Sequence, residues 1–105
     1  MQFGSAEREA RYPKAPVDTI VDIVEALASI GIVEETSTTG RTVAGTVRYG
    51  LQKVPLRVSV FPSIDGASTV VVSAGSDGGW GIGARKVGDK LVKALHTIAS
   101  RPTST

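Results

Sequence analysis

Cysteine is missing from this 105-residue chain, histidine occurs once, and aromatic residues make up only 5%. Without cysteine there is no disulfide, no thiolate zinc or iron–sulfur ligation and no thiol nucleophile. His96 has no second imidazole to work with, which makes it a surface residue before it is a ligand or a base. Long hydrophobic runs are also lacking: the most apolar stretch, residues 20–33, is broken by Asp22 and Glu25 and is too short and polar to span a bilayer. Acid is scarce in the second part of the chain. Residues 41–105 carry nine Lys and Arg against Asp65, Asp77 and Asp89, a net of +6, whereas residues 1–40 carry three basic residues against seven acidic ones, a net of −4. Such polarity draws an anionic partner to one side, or draws two copies together head to tail.

What is present reads as one globular domain, with 41% hydrophobic and 21% charged residues. Residues 1–15 predict a flexible N-terminal arm, residues 16–101 a single α+β domain and residues 102–105 a disordered tail. The arm carries Glu7, Arg8, Glu9 and Arg11 and no apolar segment, unlike a secretory signal, so a cytoplasmic location is expected. From Pro16, residues Val17, Ile20, Val21, Val24, Leu27 and Ala28 recur at helical spacing, with Asp18, Asp22, Glu25 and Ser29 opposite. After a linker over residues 34–40, three alternating segments follow, carried by Val43 and Val47, by Val54, Leu56, Val58 and Val60, and by Val70 and Val72. A second helix sets Val87, Leu91, Leu95 and Ile98 against Arg85, Lys86, Asp89, Lys90, Lys93 and His96. The expected fold is α-β-β-β-α: a three-stranded antiparallel meander with both helices on its aliphatic face. Val17, Ile20, Val24 and Leu27 are expected to share one core with the inward strand residues and with Val87, Leu91 and Leu95.

Five of the twelve glycines lie within residues 75–83, just ahead of the basic helix. The nucleotide phosphate-loop spacing and the dinucleotide fingerprint are both absent from this stretch. Free backbone N–H groups at a helix start favour an anion, so Gly81 and Gly83 with Arg85 and Lys86 are anion-binding candidates. The same region resembles the double-stranded RNA-binding domain, in the order helix, three strands, helix, and in Gly81, Gly83, Arg85, Lys86 and Lys90 as a Gly-x-Gly followed by a basic helix start. That resemblance implies duplex RNA held at its phosphates by Lys86, Lys90 and Lys93. It covers about ten residues; Val87 stands where the family has a lysine, Asp89 where it has a small residue, and no Gly-Pro-x-His follows the first strand.

On the polar face of the sheet, Arg48, Arg57, Phe61 and Val71 form a mixed basic and apolar set of the type enriched in interfaces. No pair of acids or nucleophile with a base stands out, so no catalytic residue, metal ligand or cofactor is assigned. The expectation is a small soluble binding domain acting in protein interaction or self-association, with nucleic-acid or phosphate binding through the glycine-rich segment and basic helix as the alternative.

Overall fold

The computed structural model describes residues 5–75 and 81–100. Within them the chain forms β1 (Ser5–Tyr12), α1 (Pro16–Ile30), β2 (Ile32–Ser37), β3 (Thr42–Tyr49), β4 (Gln52–Pro62), β5 (Ser68–Gly75) and α2 (Gly81–Ala99). All strand pairs are antiparallel, in the order β1-β5-β4-β3-β2. The α+β class and the helices packed on an antiparallel sheet are as expected, but the three-stranded meander is too narrow. The sheet has five strands, and a strand precedes the first helix. The order that prompted the likeness to the double-stranded RNA-binding domain is therefore not the order of this chain.

Both additional strands have a physical reason to escape a hydrophobic-pattern reading. β1 lies in the stretch expected to be an arm. It pairs along β5 from Ser5↔Gly75 to Tyr12↔Ser68, yet the residues it turns toward the helices include Arg8 and Ala10, so no aliphatic alternation marks it. Charged residues on such a strand blunt the edge of the sheet against pairing with another chain. β2 begins two residues after α1 ends, in apolar sequence that continues the helix, and a bulge between Val33 and Glu35 breaks its alternation against β3.

The core lies between the sheet and the two helices. Val43, Val47, Val54, Leu56, Val58, Val60, Val70 and Val72 form its sheet side, and Ile20, Ile23, Leu27, Val87, Leu91 and Leu95 its helix side. α1 is rotated relative to the expected stripe. Val17 and Val21 are each 62% exposed, and Val24 only flanks the core, while Thr19, Asp22, Ile23 and Ala26 are buried. The cause is polar compensation at one end of the helix. Tyr12 donates its phenolic hydrogen to Asp22 Oδ2 at 2.6 Å, and Lys14 Nζ lies 2.7 Å from the same oxygen. Thr19 Oγ1 sits within 3.0 Å of the Ala15 and Lys14 carbonyls, and Ser68 Oγ donates to the Lys14 carbonyl at 2.7 Å. With partners supplied by β1 and its following turn, a carboxylate and a hydroxyl are buried at little cost.

Two glycines set how closely α1 and β2 approach β3. A Cβ on Gly45 would fall 2.2 Å from the Ile32 carbonyl oxygen and 2.7 Å from Leu27 Cδ2, and one on Gly31 would fall 2.4 Å from the Thr46 carbonyl oxygen. In the β2–β3 turn the left-handed residue is Arg41, with φ 55°, rather than the neighbouring Gly40. The β3–β4 hairpin turns through Gly50, φ 64°, and Leu51, satisfying the requirement of a tight hairpin for a positive φ at its first central residue.

Candidate functional site

Three ion pairs tie the N-terminal segment to three other parts of the molecule. Arg8 of β1 pairs with Asp89 of α2, Arg11 pairs with Asp65 in the β4–β5 turn, and Lys14 pairs with Asp22 of α1. These three cations are the whole basic content of residues 1–40, and two of their partners are among the three acids of residues 41–105. The pairs take up minority charges of both halves and leave the charge asymmetry in place. Its consequence is that the cations of the second part keep their charge unopposed: among the described residues no carboxylate pairs with Arg48, Lys86, Lys90 or Lys93.

Those four residues converge on one groove of about 630 Å³, bounded by α2 on one side and by Arg8, Arg48 and Tyr49 on the other. Lys86, Lys90 and Lys93 follow one another at four- and three-residue spacing, so their Cα atoms cover about 10 Å along the helix. Val92 adds apolar surface above the buried Val87, and His96 lies at the same groove. Asp89 is the only carboxylate that lines it among the described residues, and Arg8 holds it. A concave site with cationic walls, part apolar and largely free of competing carboxylates, concentrates anions. No group of His, Asp and Glu among the described residues is arranged to hold a metal ion.

The residues singled out from the sequence fall into three places. Lys86, Lys90 and Lys93, the nucleic-acid candidates, are exposed together along the groove. Of the anion candidates, Gly81 and Gly83 lie in the first turn of α2, Arg85 is exposed on that helix, and Lys86 lines the groove. The rest of the glycine-rich stretch, residues 76–80, and the chain from residue 101 lie outside the described residues. Of the interface candidates, Arg57, Phe61 and Val71 form a group on the outer sheet face. Val71 stands opposite Ser59, with Arg57 and Phe61 two residues to either side of Ser59 on β4, so both are its diagonal neighbours. Arg48 stands apart, opposite Lys53 near the end of β3, where it joins the groove. Arg8 and Tyr49 carry no sequence signal that marks them as site residues. Arg8 reaches α2 only because β1 pairs with β5, a long-range contact that no local spacing reveals.

No protein-family model and no curated protein matches the chain. Solved structures do, over most of their own length and of this chain. The crystal structure of Ara h 8.0201 superposes with a TM-score of 0.61 at 14% identity, over 93% of this chain and 98% of that one. A protein from Thermobifida fusca, solved in solution by NMR, gives 0.59 at 16% identity over 92% of this chain and 93% of that one. Protein CV1439 from Chromobacterium violaceum gives 0.60 at 11% identity over 94% and 99%. At these identities the likeness is one of fold. No helix among the described residues is long and apolar enough to cross a membrane.

Proposed function

We propose that the protein is a small non-catalytic binding domain that takes an anionic, phosphate-bearing ligand into the groove beside α2. The observation that carries this reading is the convergence of Arg48, Lys86, Lys90 and Lys93 on one groove without a carboxylate partner among the described residues. Four exposed cations lining one concave surface raise the local potential for an anion. The volume of about 630 Å³ suits a small molecule rather than a broad macromolecular surface. A binding rather than a catalytic role is supported by the state of Asp89, the one carboxylate lining the groove among the described residues, which Arg8 engages instead of leaving it for proton transfer. Duplex RNA along Lys86, Lys90 and Lys93 is the alternative occupant.

Titration of the isotope-labelled protein with inorganic phosphate, and separately with a short RNA duplex at low and moderate salt, tests the reading. Phosphate is expected to shift the amides of Arg48, Tyr49 and residues 86–93, and Lys90→Glu to weaken binding about tenfold, since a contact to a charged group contributes roughly 1.5 kcal/mol or more. RNA binding alone, falling steeply with salt, moves the function to nucleic acid. Silence in these amides with both ligands overturns the anion reading.

A second reading, self-association or protein binding through the outer sheet face, is supported by the group of Arg57, Phe61 and Val71, with Phe61 53% exposed. The face is a better candidate than the sheet edges, because β1 carries charged residues and β2 a bulge. Sedimentation at micromolar concentration is expected to show species larger than monomer, and Phe61→Asp to return them to monomer. A wild-type chain that stays monomeric at high concentration removes self-association.

A further inference from the structure

We infer that the Arg8–Asp89 pair sets which anions engage Arg8: Asp89 is a built-in competitor for Arg8, so a doubly charged phosphate draws the guanidinium away from it and a singly charged carboxylate does not. The inference rests on the groove being an anion site. Both side chains line it, and each is close to half exposed, at 42% and 46%. An ion pair with that much solvent contact is weak and readily exchanged.

The surroundings allow the exchange without disturbing the fold. Gly88 is buried beneath Arg8, where an added Cβ would lie 3.6 Å from Arg8 Cγ, so the stem of Arg8 lies against the helix and only its guanidinium must turn. Asp89 does not lose every partner when Arg8 leaves. Arg85 and Lys93 stand four residues before and after it on α2, the spacing at which helical charges meet. A monocarboxylate entering the groove offers Arg8 what Asp89 already provides, and gains nothing by the exchange. A phosphate dianion brings twice the charge and acceptor oxygens that match the guanidinium fork.

The test compares inorganic phosphate with acetate at about pH 8, where phosphate is a dianion, by amide-shift titration of the full chain at low salt. Wild type is expected to prefer phosphate. Asp89→Asn is expected to bind phosphate roughly two- to fivefold more tightly, with a smaller gain for acetate, so that the preference widens. Asp65→Asn, which frees Arg11 away from the groove, should match wild type. Arg8→Gln should bind phosphate more weakly and lose the preference, which keeps the inference testable should Asp89→Asn fold poorly. If wild type binds phosphate and Asp89→Asn binds it no better, the inference is overturned and the anion site stands. An equal gain in Asp65→Asn also overturns it, by reducing the effect to net charge. No shift by either anion in wild type or in Asp89→Asn overturns the site and the inference together.

Discussion

The two helices are both amphipathic and both pack on the same sheet, yet they orient by different rules. α2 turns its aliphatic residues inward and its cations outward: Val87, Leu91 and Leu95 are buried, and Lys86, Lys90 and Lys93 are exposed. α1 buries Asp22 and Thr19 and leaves Val17 and Val21 in solvent. The difference lies in what each helix faces. On its core side α2 meets aliphatic side chains, and its pairing with Arg8 at Asp89 is compatible with the rotation that the hydrophobic pattern sets. α1 begins beside Tyr12, Lys14 and Ser68, where polar partners make a different rotation equally acceptable and allow Ile23, Ala26 and Leu27 to fill the core.

Substitutions can break this contrast at both ends. The largest effect is expected on the α2 side, where Leu91 is fully buried: Leu91→Ala should cost about 2–5 kcal/mol through lost transfer energy and a residual cavity. Thermal or urea unfolding measures it, and an unchanged midpoint would contradict the core described above. On α1 the corresponding contribution is polar. Asp22→Ala should cost about 1–3 kcal/mol, because the Tyr12 hydroxyl loses the carboxylate to which it donates. Asp22→Asn retains an acceptor and should cost less, and a Tyr12→Phe and Asp22→Ala double-mutant cycle should show the two changes to be non-additive. Strict additivity would mean that the 2.6 Å contact does not orient the helix. The smallest effect is expected at the apolar residue that the hydrophobic pattern places inside. Val21→Gln should alter stability by no more than about 0.5 kcal/mol, as at other exposed positions, and the same unfolding curves measure it.

Much of the strand pattern is legible in the sequence because β3, β4 and β5 alternate one aliphatic face with one polar face, a local property of a half-buried antiparallel sheet. Both helices are legible in extent for the same reason, since their periodicity and the prolines at Pro16 and Pro102 are local signals. Of the candidate site, the lysines of α2 stand out as a stripe. Their companions do not: Arg48 reads as part of the outer sheet face, and Arg8 as part of an arm. Gly45 is equally silent, because the reason for a glycine there is a carbonyl of β2 lying where a Cβ would stand.

Residues near one another along the chain are enough to set the α+β class, the three central strands, the two helices, most of the core and the concentration of positive charge on α2. The width of the sheet, the rotation of α1 and the groove exist only in the assembled molecule. β1 gains its order from pairing with β5 some sixty residues away. Asp22 can be buried only beside Tyr12 and Lys14, and Arg8 and Arg48 meet the lysines of α2 only once the sheet has formed. Long-range pairing places these partners, and no period or composition within a short window encodes them.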